Sequence, residues 1–302
     1  MPKSNRIARY RAKLDLPKGK TILISGANSG IGFEVAKALA KDNRLIFAVR
    51  NKKKGEEAKT LLSKDYPPAD ILLMDLDLSS LESIRSFCDK IKQEKLDIDA
   101  FYCNAGIYRV PFQTVYGDIE SQVGVNAVSS YILYKELRDY LHSLPHPVKF
   151  LLTSSIAARF ISFDVPSDFR GENYDKVRAY SKSKLAVNAF YRFLLKEEKE
   201  SNILPLLVHP GISFTPLIEK AYSGKRWLLL AKRFLRAFFN KPEKAALSPL
   251  CALQDKVDQS GFYGPRGIGH ASGYPTAYPL YAKNLKNEAD IVAFMEDLYR
   301  RI

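Results

Sequence analysis

A chain of 302 residues with 46% hydrophobic content is long enough to bury a sizeable core and too apolar for wholesale disorder. Its three cysteines, Cys88, Cys103 and Cys251, have neither metal-ligand nor disulfide spacing and fit a reduced compartment, with Cys88 and Cys103 read as buried; no metal is expected. No apolar run is long enough to span a bilayer and the first residues lack a signal-peptide core, while the net charge of +14 suits an anionic surface or a polyanionic ligand better than nucleic acid, for which no zinc-finger spacing or RNA-recognition sequence is present.

Residues 1–18 carry Lys3, Arg6, Arg9, Arg11 and Lys13 before the first acid and read as a basic arm or short surface helix; a transit peptide is the weaker reading, because Ser is scarce. Thr21-Ile22-Leu23-Ile24 has the β-branched content of a buried strand. Behind it comes Ser25-Gly26-Ala27-Asn28-Ser29-Gly30-Ile31-Gly32, and then Val35, Ala36, Leu39 and Ala40 at helical spacing. Strand, glycine turn and helix is the layout that cradles a dinucleotide pyrophosphate: Gly26 for the tight turn, Gly30 for close approach of the phosphates, Gly32 for packing of the helix on the sheet. Asn28, Ser29 and Ile31 belong to the same cradle, and the helix N-terminus faces the anion.

Leu45 to Val49 reads as a second strand ending at Arg50. The end of this strand meets the adenosine ribose, where an acid selects the 2′-hydroxyl of NAD and an Arg suits the 2′-phosphate of NADP. Arg50 therefore predicts NADP(H). A helix to about Lys64 and a third strand, Ile71 to Met74, lead to Asp77 and Leu78, placed to approach the adenine; Ser79 with Glu82 has capping-box spacing for the next helix. A fourth strand, Ile98 to Tyr102, delivers Cys103, Asn104, Ala105 and Gly106 to the ligand-binding edge. A helix is expected from near Gly124 through Tyr140, with Asn126 in its first turns, and Val148 to Leu152 forms a fifth strand ending in Thr153, Ser154 and Ser155.

The aromatic stretch from Phe160 to Tyr174 is read as packing over something, and Tyr180 and Lys184 lie one turn apart on the following helix. Leu204 to His209 is a sixth strand. Trp227, Ala231, Phe234, Leu235 and Phe238 fall on one side of a basic helix between Lys225 and Phe239, which suits a pocket cover, a membrane surface or packing on the core or a partner. Pro242 starts another helix, Gly261 to Tyr263 a last strand and Ile291 to Tyr299 a closing helix; Gly264 to Tyr281, without periodicity, reads as an ordered loop or a tail across a neighbouring subunit.

This order of motifs resembles the short-chain dehydrogenase/reductase family over roughly residues 20 to 265, most closely its retinol-dehydrogenase-like branch. The matching pieces are S-G-A-N-S-G-I-G for T-G-x-x-x-G-x-G, C-N-A-G for N-N-A-G, Val125-Asn126, the serine motif T-S-S-I-A-A, Y-S-K-S-K for Y-x-x-x-K, and His209-Pro210-Gly211. Ser25, Cys103 and Ala158 depart from the family's Thr, Asn and Gly. The resemblance implies a single doubly wound, mostly parallel α/β sheet of Rossmann type over 19–302, with a helical substrate-covering insertion at 212–241. It also implies roles: Tyr180 as general acid/base, Ser155 (rather than Ser154) orienting the substrate oxygen, Lys184 holding the nicotinamide ribose and lowering the Tyr180 pKa, and Asn126 supporting a proton-relay water. Pro210, Gly211 and Thr215 would meet the cofactor. The expected protein is an NADP-dependent cytoplasmic oxidoreductase acting on a bulky apolar alcohol or carbonyl. A non-catalytic NADP-binding scaffold, membrane-surface contact through 225–239 and a homo-oligomer are the further readings.

Overall fold

The computed structural model describes residues 3–67, 69–212, 240–257, 262–280 and 284–302. The strands are β1 (Thr21–Ser25), β2 (Arg44–Val49), β3 (Ile71–Asp75), β4 (Ala100–Cys103), a small hairpin β5 (Thr114–Val115) and β6 (Ile119–Glu120), then β7 (Val148–Thr153), β8 (Ile203–Val208), β9 (Phe262–Pro265) and β10 (Pro275–Tyr278). Eight of them form one sheet in the order β10-β9-β8-β7-β4-β1-β2-β3. All neighbours run parallel except β9 and β10. β1 pairs with both β2 and β4, so the chain winds outward in both directions from β1. That reversal opens a crevice at the carboxyl ends of β1 and β4, the place where open α/β sheets bind ligands.

The helices follow from which strand faces need cover. Although the strands read as continuous apolar runs, their side chains alternate between two cores. Leu23, Ile46 and Ala48 face a core shared with α4 (Leu81–Gln93), α6 (Ser129–His142), α8 (Lys176–Glu197) and the closing helix α11 (Glu288–Arg301). Ile22, Ile24, Leu45 and Phe47 face the other, shared with α2 (Gly30–Leu39), α3 (Lys52–Asp65) and α10 (Leu247–Leu253), which follows the short α9 (Pro242–Ala245). Burial on both faces is what a parallel sheet requires. None of the described helices is long and apolar enough to cross a membrane.

Several elements differ from the sequence reading. The helix expected from Gly124 begins earlier, at α5 (Ser121–Val123), because the buried carboxylate of Glu120 accepts from the N–H groups of Gln122 and Val123. Between α5 and α6 the chain takes a π-helical turn, Gly124–Val128, with the Ser129 N–H reaching Gly124 O. Gly124 is a close-packing residue there: a Cβ would lie 2.2 Å from Val115 Cγ2. The β5–β6 hairpin turns on Tyr116 and Gly117, both at positive φ, with no Asn-Gly signal to announce it. The cap of α4 is Ser80, whose hydroxyl accepts from Ser83 N; Ser79 instead donates to Asp77.

The glycine-rich stretch after Tyr263 is neither a plain loop nor a tail. It folds back as β10, antiparallel to β9. The basic N-terminal segment forms the helix α1 (Lys3–Arg11), which is tied to that hairpin: Tyr10 stacks on Tyr274 at 4.5 Å and its hydroxyl donates to Pro275 O. The helix read between Lys225 and Phe239, Thr215, and most of the 212–241 insertion lie outside the described residues. The ends of that insertion meet, with Asn240 N donating to Ile212 O.

Gly264 packs against the ring of His209, where a Cβ would come within 2.2 Å of Nε2. Gly264→Ala is expected to cost about 1–3 kcal/mol in urea denaturation through overpacking. Gly269→Ala, at positive φ with nothing within 4 Å, should show only the smaller left-handed penalty of about 1 kcal/mol.

Candidate functional site

The crevice begins with the glycine turn. Gly26 and Gly30 both sit at positive φ, +68° and +58°, where a side chain is strained. Gly32 packs on the turn itself: a Cβ would lie 2.6 Å from Gly26 O and equally close to Asn104 Nδ2. The turn is locked to β4 by two side chains. Ser25 Oγ accepts from the N–H groups of Asn104 and Ala105, and Asn104 Nδ2 donates to Ser25 O, all at 2.9 Å. Ser25 thus gives the backbone of Asn104 and Ala105 an acceptor in place of the family's Thr. Ser29 is extended at the N-cap of α2, but its side chain does not cap the helix. The first N–H groups of α2 therefore face the crevice, an arrangement suited to an anion. Asn28 and Ile31 are half-buried beside it.

Arg50 directly follows β2 and is exposed; among the described residues its guanidinium has no ion-pair partner. Asp77 and Leu78 lie at the same edge, since Val49 pairs with Asp75 and Leu76 N donates to Val49 O. The Asp77 carboxylate already accepts from Ser79 N and Ser79 Oγ, so one of its oxygens is engaged locally.

On the other side of the switch point the chemistry-bearing side chains converge. Asn126 sits in the π-helical turn, and its amide reaches both the loop after β4 and helix α8: Oδ1 accepts from Ile107 N at 2.8 Å, while Nδ2 donates to Ile107 O and Ser183 Oγ, each at 2.9 Å. Both amide protons are engaged, which leaves the main chain of Asn126 for any contact with water. Gly106 must be Gly here, because a Cβ would stand 2.7 Å from Asn126 Oδ1.

Lys184 is buried on α8; its Nζ donates to Thr153 O at 2.8 Å and lies 5.9 Å from the centroid of the Tyr180 ring. The Ser155 hydroxyl, at the end of β7, accepts from Ala157 N at 3.2 Å and lies close enough to the Tyr180 phenol to favour its ionised form. Ser154 is turned away into the core and donates to Asn188 Oδ1, which separates the two adjacent serines. Burial pushes the Tyr180 phenol up to about 12, with the nearby Ser155 hydroxyl pulling against it and the Tyr108 phenol adding to it, and pushes Lys184 down to about 8.

Pro210 and Gly211 close the crevice after β8. Gly211 adopts φ +74° and donates to His209 Nδ1. The accepting Nδ1 leaves the proton of a neutral imidazole on Nε2, which is bonded to Tyr278; burial holds the His209 pKa down to about 3.

The aromatic stretch 160–174, which carries the short α7 (Ser167–Arg170), packs over the closing helix. Phe163 and Phe169 are buried, and Phe169 stacks on Phe294 of α11 at 4.1 Å, so these rings anchor the closing helix; Phe160 is 81% exposed. The ring that does meet Tyr180 is Tyr108, edge to face at 4.6 Å. The sequence reading missed it, along with Gln122 and Ser183. Only Ser183, inside the Y-S-K-S-K motif, carried a positional signal.

Known proteins resemble this chain in fold and in sequence. A solved structure of an uncharacterised protein from Mycobacterium paratuberculosis matches with a TM-score of 0.73 and 26% identity, over 96% of this chain and 97% of that one. The L-sorbose reductase of Gluconobacter frateurii, solved with NADPH and L-sorbose, shares the fold with a TM-score of 0.61 and 19% identity over 80% and 92%. Human retinol dehydrogenase 14 is 34% identical over 260 residues, covering 80% of this chain and 76% of its own length. The family model for short chain dehydrogenases matches residues 20–226, and on that match together with the retinol dehydrogenase likeness the chain belongs to the short-chain dehydrogenase/reductase family of oxidoreductases.

Proposed function

We propose that the protein transfers a hydride between NADP(H) and an alcohol/carbonyl pair with a bulky apolar substituent. The observation that carries this reading is the convergence of Tyr180, the buried Lys184 and the end of β7 that bears Ser155, with Lys184 Nζ 5.9 Å from the Tyr180 ring and bonded to Thr153 O, at the same sheet edge as the glycine turn. The turn fits a dinucleotide: two positive-φ glycines, a third with no room for a Cβ, and an uncapped helix N-terminus form a cradle for a pyrophosphate. Gly26, Asn28, Ser29, Gly30, Ile31 and Gly32 would hold the phosphates, Arg50 the 2′-phosphate, Asp77 and Leu78 the adenine side, and Asn104, Ala105, Gly106, Pro210, Gly211 and Thr215 the nicotinamide half. The bound nucleotide supplies the hydride. The L-sorbose reductase, which was solved with NADPH, supports the same cofactor class here.

The chain's own residues handle the proton. Ser155 holds the substrate oxygen beside the phenol, and Tyr180, protonated at neutral pH, donates to that oxygen as a carbonyl is reduced. In the oxidation direction the phenol must first lose its proton, which Lys184 assists when charged. Lys184 also reaches the nicotinamide ribose, and Asn126 positions the loop that borders both. The apolar substrate is supported by the Tyr108 ring at the site and by the name of the retinol dehydrogenase relatives.

Four outcomes are expected. Arg50→Ala should weaken NADPH binding far more than NADH binding in a titration of nucleotide fluorescence; equal losses would remove Arg50 from the 2′-phosphate. Tyr180→Phe should lower turnover by about 100- to 10,000-fold while nucleotide binding survives. For the wild type, carbonyl reduction should hold across neutral pH and alcohol oxidation should rise with pH. Lys184 gives a stability signature: its folded pKa of about 8 lies below the ordinary 10.5, so the unfolded chain holds the proton more tightly and stability rises with pH between those values. Below that window the fold bears the full cost of the buried charge. Lys184→Met should therefore melt higher than wild type near neutral pH without cofactor, with the gap closing as pH rises through the window; a lower melting temperature at neutral pH would contradict the buried-charge account.

A further inference from the structure

Tyr108 stands where no motif placed a side chain. Its ring lies 4.6 Å from that of Tyr180, at 84°, against the residue whose ring also lies 5.9 Å from Lys184 Nζ. It belongs to the loop leaving β4, and the loop is fixed on both sides of it. Before it, Ile107 is held through both its N–H and its carbonyl by Asn126. After it, Arg109 adopts φ +54°, a left-handed conformation uncommon outside glycine that the surroundings must hold in place.

The restraint is Gln122, a fully buried side chain. Its Oε1 accepts from Arg109 N at 2.7 Å, and its Nε2 donates to Tyr174 OH and to Lys176 O, both at 3.0 Å. Tyr174 OH in turn donates to Val110 O at 2.7 Å. Lys176 lies one helical turn before Tyr180, so a single buried amide registers the loop of Tyr108 against the helix of Tyr180. The loop backbone is thus fixed by contacts that do not involve the Tyr108 ring. That ring is only half-buried and remains within reach of a molecule lying against Tyr180 and Ser155.

We infer that Tyr108 is a specificity-determining residue: its ring is the wall that receives the apolar substituent of the carbonyl carbon, and Gln122 is the positioning residue that sets the wall's distance from Tyr180. The inference rests on the hydride-transfer reading of the site and adds a substrate preference to it. A flat aromatic wall favours a flat, conjugated substituent over a saturated ring of equal size, because ring pairs gain from edge and offset-face contacts beyond the area they bury.

The test compares benzaldehyde with cyclohexanecarboxaldehyde, and propanal as a small reference, on wild type, Tyr108→Phe, Tyr108→Leu, Tyr108→Ala and Gln122→Met. Two readouts are taken: kcat/KM for reduction with NADPH, and the affinities of the corresponding alcohols for the NADP-saturated protein by calorimetry. Wild type should prefer the aryl member. Tyr108→Phe should keep that preference, and Tyr108→Leu and Tyr108→Ala should reduce it by roughly two- to twelvefold, the worth of one aromatic pair, chiefly through KM. Gln122→Met should move the ratio in the same direction. A uniform fall for all three aldehydes with an unchanged aryl-to-cyclohexyl ratio would overturn the inference and leave Tyr108 as packing for Tyr180. A wild type that binds the alcohols but turns over no aldehyde would instead overturn the hydride-transfer reading, and the binding ratio would still decide the role of Tyr108.

Discussion

The side-chain amide of Asn126 is the joint on which the site depends. Three pieces of chain distant in sequence meet there: the loop after β4 through both polar groups of Ile107, the π-helical turn that carries Asn126, and α8 through Ser183. Each neighbouring peculiarity follows from that joint. Gly106 has no side chain because Asn126 Oδ1 occupies its space. The π-turn places an extra residue in the helix, and such insertions re-aim a side chain at the cost of a regular hydrogen-bond ladder. Ser183 completes the chain of bonds by donating to the carbonyl of Tyr180. A mildly unfavourable helical residue is therefore retained because its amide satisfies backbone groups that would otherwise be buried without partners.

A second joint, Ser25 with Asn104, does the same for the nucleotide half of the crevice. The β1–β4 ladder ends at Ile24 and Tyr102, so beyond it no strand hydrogen bonds bind the turn after one to the turn after the other. The Ser25 hydroxyl and the Asn104 amide replace them, with four donor–acceptor contacts across the gap. The departure of Ser25 from the family's Thr removes a methyl group and keeps the acceptor. The two joints hold the same loop after β4, one at Asn104 and Ala105 and the other at Ile107, which puts the proposed cofactor cradle and the proposed proton donor on one base.

How much of this was legible in the sequence depended on whether a feature is local. The strand–glycine–helix unit, the strands feeding it, and the Tyr180–Lys184 pair were legible because they are set by residue type at short, fixed offsets. The features that were missed are set by partners far along the chain. Phe169 stacks on Phe294 of a helix more than a hundred residues away and Phe163 packs on Phe169, so the sequence could say that this stretch packs over something without saying over what. Strand β10 forms through main-chain pairing with β9 in a segment whose Gly and Pro content hides its extended geometry. Ser79 has capping-box spacing with Glu82, but its hydroxyl is engaged by Asp77 and its neighbour Ser80 caps α4 instead. Tyr108 carried no signal: one aromatic in a loop has no period.

The electrostatics of the two titratable groups complete the picture. Tyr180 and Lys184 share one desolvated environment, and desolvation favours the neutral form of each: it raises the phenol and lowers the ammonium. A phenolate beside an ammonium is the charged alternative, and an unsolvated ion pair recovers its desolvation cost only where further hydrogen bonds support it. The supports present are few: Ser155 at the phenol and the Thr153 carbonyl at the ammonium. The resting site thus keeps the proton on the oxygen of Tyr180, which is where reduction of a carbonyl needs it. Among the described residues Lys184 is buried without a carboxylate partner, which lowers the stability of the fold, and natural proteins accept such costs at functional sites. The geometry that makes Lys184 unfavourable for folding is the geometry that makes it useful for chemistry.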